Sequence, residues 1–351
     1  MKQLQLTTGR RKWDITLHRN SIREYRIIYR KNGRNEGRMS YVFGVDVGGT
    51  SVKIGLFEGN GKLVEKWSIP TNTNNNGESI LPDIAASVLS KKEEKKIGVK
   101  DIIGVGMGLP GPVDGNGIIR KAVNLHWEDV FNVEEKLASY LPEGMKVRAG
   151  NDANVAALGE AWMGAGKGYK NIVMVTLGTG IGGGVIIDGK VVAGITGAAG
   201  EIGHIYVGDD PGEACNCGNR GCLEQYASAT GIVRLLKKEL EEHPDEKTEL
   251  RDKKLTAKEL WDAVKNNDPL AIRVAEQFGK YLGSGLSVVA GVLNPEVIII
   301  GGGVSMAGDV IMPFILRNFK EHVFHASAET KFLRATLGND GGIYGAAALL
   351  L

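Results

Sequence analysis

The chain has 351 residues, of which 42% are hydrophobic and 24% are charged, a composition that is ordinary for a soluble globular protein with room for two domains. No apolar run approaches the ~20 residues that cross a membrane, and no signal peptide is visible at the start of the sequence. The formal net charge of +2 is unevenly placed, because residues 1–38 carry eleven Lys and Arg against three acidic residues and the remainder is therefore acidic.

Residues 1–40 are expected to be a basic, disordered extension ahead of the fold. A basic arm that binds nucleic acid is the alternative, but no two helices joined by a turn can be drawn in it. The mildly acidic remainder gives no reason to expect nucleic acid as a partner.

The fold is predicted to begin with a strand at 41–47, followed by a turn through Gly48, Gly49 and Thr50 and a hairpin over 51–69. These glycines lie between two strands, whereas the glycines of Rossmann and Walker loops open a helix. Glycine lets backbone N–H groups approach a phosphate closely. Asp46, near the strand end, can hold Mg²⁺ directly or through water. A plain Gly-rich hairpin turn is the alternative for this motif alone.

A second set of signals leads to a pair of polar residues. A helix is predicted at 79–90 and a buried strand at 102–109, which continues into a turn around Gly111. A short strand at 147–150 then leads to Asn151 and Asp152 at the start of a helix, where open α/β sheets place ligands. Helix N-capping is the alternative role for this pair. Because a helix N-terminus favours a carboxylate, Asp152 is expected to be ionised at neutral pH and able to accept a hydroxyl proton.

The strand–turn–hairpin unit occurs twice in the sequence. Residues 172–177 predict a buried strand, which is followed by a Gly-rich turn and a hairpin that reverses at Asp188-Gly189. The unit at 172–193 therefore repeats the one at 41–69.

All three cysteines, Cys215, Cys217 and Cys222, lie in one Gly-rich segment, with His204 just upstream. Three thiols and one imidazole make a complete tetrahedral set for a structural zinc ion. Buried cysteines that act as small apolar residues are one alternative, but the segment has no apolar period. A disulfide would leave one thiol over. Cysteines with metal-ligand spacing also suit a reducing cytoplasm.

The C-terminal part alternates helices and strands. Helices are predicted at 223–240, 257–264, 270–292 (interrupted by glycines), 309–322 and 340–351, and strands at 296–300 and 331–337. The strand at 296–300 is followed by Gly302 and Gly303, which suit the face of a nucleoside.

The pattern Glu201-x-Gly203-His204 followed by Cys215-x-Cys217-Gly218-x-x-Gly221-Cys222-x-Glu224 resembles the signature of the ROK family of sugar kinases and sugar-responsive repressors. The resemblance extends in order over about residues 41–351. It implies Asp152 as general base and Gly111, Asn151, Glu201, His204 and Glu224 as sugar ligands. It implies a nucleotide and Mg²⁺ site formed by Asp46, Gly48, Gly49, Thr50, Lys53, Gly178, Thr179, Gly180, Gly302 and Gly303. It implies zinc on His204, Cys215, Cys217 and Cys222, with the second ring nitrogen of His204 toward a sugar hydroxyl.

The resemblance also implies the fold and the activity. The fold would be α/β, a duplicated actin–hexokinase-like (ribonuclease H-like) fold with a nucleotide cleft. A small domain at 41–152 would be completed by the helix at 340–351, and a large domain at 153–339 would carry the zinc loop at 204–222. The segment around 215–231 looks most like ATP-dependent glucokinases. One alternative is a kinase of the same family with another sugar acceptor, such as an N-acetylhexosamine, mannose or fructose. The other is a sugar-responsive repressor. Family habit implies a dimer or tetramer.

Overall fold

The structure is a computed structural model and describes residues 2–8, 11–17, 40–208 and 212–351. Strands β1 (Lys2–Thr8) and β2 (Arg11–Leu17) pair antiparallel. Both strands fall within residues 1–40, whose assignment as a basic, disordered extension stays a prediction. The rest of that extension lies outside the described residues.

A five-stranded sheet forms the first half of the fold, in the order β5-β4-β3-β6-β9. Its strands are β3 (Tyr41–Val47), β4 (Ser51–Glu58), β5 (Leu63–Pro70), β6 (Ile102–Leu109) and β9 (Lys146–Asn151). Strands β3, β6 and β9 are parallel, and β4 and β5 complete an antiparallel hairpin with β3. The predicted strand–turn–strand around the first glycine turn is confirmed. Strands β7 (Ile118–Ile119) and β8 (Phe131–Asn132) form a separate short pair.

A second five-stranded sheet repeats the arrangement, in the order β12-β11-β10-β13-β14. Its strands are β10 (Ile172–Leu177), β11 (Ile181–Ile187), β12 (Lys190–Val191), β13 (Val297–Gly301) and β14 (Lys331–Arg334). Again three strands are parallel and two return as an antiparallel hairpin. The two sheets therefore share strand order and strand direction, as the repeated sequence unit predicts.

Ten α-helices are present in the described part of the chain. They are α1 (Asn74–Gly77), α2 (Ile80–Glu94), α3 (Val133–Ala138), α4 (Asp152–Met163), α5 (Glu224–Ala227), α6 (Ala229–Glu242), α7 (Ala257–Lys265), α8 (Pro269–Leu293), α9 (Met312–His322) and α10 (Gly341–Ala348). Helix α8 is continuous, whereas an interruption by glycine is expected from the sequence. In the described residues no helix is both long and apolar enough to cross a membrane.

Helices cover both faces of each sheet. One core joins the first sheet to α2 and α3, and a larger core joins the second sheet to the helices α5 to α9. Helix α4 packs on the other face of the second sheet, and α10 packs on the other face of the first. Apolar strands that are buried on both faces explain the nearly continuous Val and Ile runs of the sequence.

The last helix packs unusually closely on the first sheet and on α4. A Cβ atom placed at Gly106 of β6 would lie 1.7 Å from the carbonyl oxygen of Ala346, and one placed at Gly345 would lie 1.7 Å from the carbonyl oxygen of Val155 in α4. These positions therefore need glycine. The C-terminal helix α10 therefore packs on the first sheet, next to the strands of the first half of the fold.

Candidate active site

The parallel strands of both sheets end at one cleft of about 900 Å³. Polar side chains follow those strand ends, as they do in other open α/β sheets. Twelve of the residues predicted for the site line this cleft: Asp46, Lys53, Gly111, Asn151, Asp152, Gly178, Gly180, Glu201, His204, Glu224, Gly302 and Gly303. The fold thus brings together positions that are as far as about 250 residues apart in sequence.

Asn151 caps helix α4 and fixes the turn that faces it. Its Oδ1 accepts hydrogen bonds from the backbone N–H groups of Ala153 (3.0 Å) and Asn154 (3.2 Å). Its Nδ2 donates to the carbonyl oxygen of Gly111 at 3.2 Å. Asn151 therefore serves as a helix cap and also holds the Pro-Gly-Pro turn against the start of α4.

Asp152 is the first residue of α4 and opens onto the cleft. Burial against the cleft wall raises the pKa of Asp152 to about 6, the Ala153 N–H opposes this rise, and the negative charges of Asp46 and Glu201 add to it. The expectation that the helix N-terminus would set the charge state is wrong about the dominant effect, because desolvation outweighs it. The carboxylate is still the main form at pH 7.

Asp46 lies near the end of β3 beside Lys53 of β4. Burial raises the pKa of the Asp46 carboxyl, and the Lys53 ammonium, 3.7 Å from Oδ2, opposes the rise. Lys53 also donates to the carbonyl oxygen of Asn339 at 3.4 Å. A Cβ atom at Gly342 would lie 2.5 Å from the Asp46 carboxyl carbon, so the start of α10 packs directly on this side chain.

Glu224, at the start of α5, is held against the second glycine turn. Its Oε2 accepts a hydrogen bond from the Ile181 N–H at 2.9 Å, and a Cβ atom at Gly180 would lie 2.2 Å from the same oxygen. The turn is further fixed by Ala229 N–H to Gly178 O (2.8 Å). Glu224 thus has one oxygen bound to the backbone and the other available to a ligand in the cleft.

His204 lies in a 3₁₀ turn (Ile202–His204), with its ring between Glu201 and the cysteines. Its Nε2 is 3.9 Å from Glu201 Oε2, and its Nδ1 is 3.7 Å from Cys215 Sγ. The Cys217 and Cys222 sulfurs are 3.7 Å apart, and all four ligand atoms lie within 4.8 Å of one another. Tetrahedral zinc with bonds of ~2.0–2.3 Å separates its ligand atoms by roughly 3.5–3.8 Å. The cluster therefore fits zinc.

Four predicted residues, Gly48, Gly49, Thr50 and Thr179, are not among the residues that line the cleft. Gly49 is nevertheless close to it, because a Cβ atom there would lie 3.3 Å from the carbonyl oxygen of Asn124, which does line the cleft. The Thr179 carbonyl oxygen accepts a hydrogen bond from Thr230 Oγ1 at 2.9 Å.

Sequence reasoning missed a whole wall of the cleft. Arg334, Ala335, Gly338, Asn339, Gly341 and Gly342 line it, as do Ser305 and Met306 after β13. The only sequence signal for this wall is the Gly338-Asn339-Asp340-Gly341-Gly342 run, which resembles an ordinary turn before an apolar helix.

A model of the ROK family matches residues 42–351. The chain belongs to the ROK family. It is 43% identical over 307 residues to a glucokinase of Halalkalibacterium halodurans, with 86% of this chain and 92% of that protein covered. It is 36% identical over 315 residues to a glucokinase of Thermotoga maritima, with 88% and 96% covered.

Solved ROK structures share the fold. A ROK family glucokinase from Streptomyces griseus, in complex with glucose and AMPPNP, superposes with a TM-score of 0.70 at 32% identity, and the match covers 88% of this chain and 99% of that one. The sequence resemblance to the ROK family is therefore confirmed, as is the expectation of a mixed α/β sugar kinase fold.

Proposed function

We propose that this chain is an ATP-dependent glucokinase that transfers the γ-phosphoryl group of ATP to the 6-hydroxyl of glucose. The observation that carries the proposal is the cleft, which is lined by a carboxylate at a helix N-terminus, by the sugar-ligand candidates and by residues of the glycine turns. The likeness to glucokinases supports the choice of glucose. Glucose 6-phosphate and ADP are the products.

Asp152 is the proposed general base. Its carboxylate takes the proton of the 6-hydroxyl while the hydroxyl oxygen forms a bond to the γ-phosphorus and the bond from that phosphorus to the β–γ bridging oxygen breaks, so ADP leaves. A pKa of about 6 suits this task, because the group is mostly ionised at neutral pH and basic enough to hold the proton. Phosphoryl transfer otherwise depends mainly on positioning and charge stabilisation.

The sugar is proposed to bind beside Asp152, with hydroxyl groups on Asn151, Glu201, His204 and Glu224 and with Gly111 behind Asn151. His204 can orient a sugar hydroxyl through Nε2 because Nδ1 faces the cysteines. A ligand that fixes one ring nitrogen also fixes the tautomer of the other.

The nucleotide is proposed to lie along the glycine turns. The phosphates would face the backbone around residues 48–50 and 178–180, with Lys53 nearby and the nucleoside near Gly302 and Gly303. Asp46 offers a carboxylate of the kind that Mg²⁺ prefers, and Mg²⁺ would neutralise phosphate charge when it is bound with ATP.

Zinc is proposed to hold the loop at 204–222 through His204, Cys215, Cys217 and Cys222; residues 209–211 of this loop lie outside the described residues. We further propose that the chain forms two domains, at 41–152 (with the last helix) and at 153–339. It would be located in the cytoplasm and would assemble as a homodimer or homotetramer.

The test is ADP release with ATP and a panel of sugars: glucose, mannose, fructose, N-acetylglucosamine and N-acetylmannosamine. Highest kcat/KM on glucose is the expected result. Preference for an N-acetyl sugar would keep the mechanism and correct the substrate. A folded, zinc-loaded protein that turns over none of the five would contradict the kinase assignment.

A further inference from the structure

Glu160 is a buried carboxylate in helix α4 that the proposed chemistry does not use. It is 1% exposed and is not among the residues that line the cleft. A buried carboxylate is costly unless hydrogen bonds satisfy it, so its partners should show what it does.

The partners of Glu160 are backbone N–H groups of two loops. Oε1 accepts from Thr336 N (2.9 Å) and Leu337 N (2.8 Å), and Oε2 accepts from Ala165 N (2.7 Å) and, less closely, from Thr336 Oγ1 (3.3 Å). A Cβ atom at Gly164 would lie 2.0 Å from Oε2, so the chain leaves space for the carboxylate there. Charged acceptors make the stronger hydrogen bonds.

The segment that Glu160 binds is the wall of the cleft that connects β14 to α10. Six residues of 334–342 line the cleft, and the other three are Thr336, Leu337 and Asp340. Thr336 and Leu337 bind Glu160, and Asp340 pairs with Lys66 of β5 at 2.7 Å. The segment 334–342 is thus held by contacts of Thr336, Leu337 and Asp340, the three of its residues that do not line the cleft.

We propose that Glu160 is a positioning residue for the nucleotide and Mg²⁺ side of the active site, an inference that rests on the proposed kinase function. The connection runs from Glu160 to residues 336–337 and then to the Asn339 carbonyl oxygen, which accepts from Lys53, and to Gly342, which packs on Asp46. Glu160 therefore sets the positions of Lys53 and Asp46 without touching the substrate.

Glu160→Gln tests this directly, because an amide keeps the shape but turns an NH₂ group toward backbone donors. The KM for ATP and the Kd for MgADP measured by calorimetry should each rise on the order of tenfold. This is the change expected when the net free energy of one or two hydrogen bonds is lost. The KM for glucose should stay within about twofold. A purely structural role would lower the melting temperature and leave both nucleotide constants unchanged.

Glu239→Gln is the matched control. Glu239 is also a helix carboxylate, 4% exposed, and binds Arg273 and Gln277, none of which lines the cleft. This variant should lose stability and keep the nucleotide constants of the parent chain. Thr336→Val, which removes only the hydroxyl contact, should give a smaller rise in both constants and decides the matter if Glu160→Gln does not fold.

Two results would overturn the inference. One is a folded Glu160→Gln protein with unchanged KM for ATP and Kd for MgADP. The other is an equal rise in the constants for ATP and glucose. A parent chain that binds MgADP but phosphorylates no sugar would instead contradict the proposed function, and the calorimetric comparison would still test Glu160.

Discussion

Glu224 Oε2 accepts a hydrogen bond from the backbone N–H of Ile181 at 2.9 Å. Glu224 follows Cys222 by two residues, and Ile181 follows the second glycine turn. The cysteine cluster, a sugar-ligand candidate and a turn that we propose faces the phosphates are therefore linked by one short chain of contacts. A displacement of the loop at 204–222 should therefore weaken the binding of both the sugar and ATP.

Cys217→Ser is expected to abolish zinc binding and to raise the KM for both glucose and ATP, because Glu224 loses its support. Cys217 is the exposed cysteine of the cluster, so the substitution itself creates no cavity. Elemental analysis should find about one zinc per chain in the parent protein and in an Asn216→Ala control, and little in the variant. Full zinc content in an inactive Cys217→Ser protein would contradict the zinc assignment.

Asp152→Ala is expected to lower kcat by at least ~10², the usual scale for loss of a general base. The KM for ATP should change little, since the carboxylate acts on the sugar hydroxyl. Steady-state kinetics against an Asp129→Asn control, an exposed position outside the cleft, measures this. Turnover close to that of the parent chain would exclude Asp152 as the base.

The pH dependence follows from the raised pKa of Asp152. Activity should fall as the pH drops through about 6, because the base becomes protonated. The sign for stability is the opposite: the folded pKa lies above the ordinary value of 3.8, so the folded state loses stability as the pH rises from about 4 to 6.

Asp152→Asn should therefore melt at a higher temperature than the parent chain at pH 7–8, and the two should converge below pH 4. The carboxyl is open to the cleft, so solvent screening keeps the gain small. Thermal melts across this range, beside the kcat profile, check both signs. A variant that is less stable at pH 8 would show that the Asp152 carboxylate supports the fold.

Gly106→Ala is expected to destabilise the fold strongly, since the new methyl group would meet the Ala346 carbonyl oxygen at 1.7 Å. Overpacking of this kind costs about 1–3 kcal/mol or more. Gly291→Ala is the matched control: it lies inside α8 with no atom within 4 Å of the added Cβ, and it should stabilise by about 0.5–1 kcal/mol. Denaturant unfolding of both variants tests the packing of α10. Equal stability of the two would contradict it.

The strands and their glycine turns could be predicted because their signals are local. Apolar runs such as 102–109 and 172–177 have the observed bounds, and the repeat of the hairpin unit predicts two like sheets. The cluster of His204 and the three cysteines could also be predicted, because these four residues lie close together in the sequence.

Two of the failures come from tertiary contacts and one comes from a local helix cap. Glycines suggest an interrupted α8, yet a Cβ atom at Gly279 would lie 2.5 Å from the Phe314 carbonyl oxygen, so they are where α9 packs closely on an unbroken helix. A single helix is expected at 223–240, but Ser228 ends α5 and caps α6 through Gly231 N–H at 3.0 Å. The pKa of Asp152 is raised mainly by burial and also by the charge of Asp46. Neither effect can be read from the residues next to Asp152 in the sequence.

The most direct test of the central claim is the ³¹P NMR spectrum of the product formed from ATP and glucose. The account predicts ADP and a phosphomonoester coupled to the two C6 protons of glucose, formed at a rate that falls by at least ~10² with Asp152→Ala. A phosphate on a different hydroxyl, or no phosphomonoester from folded and zinc-loaded protein, would contradict it.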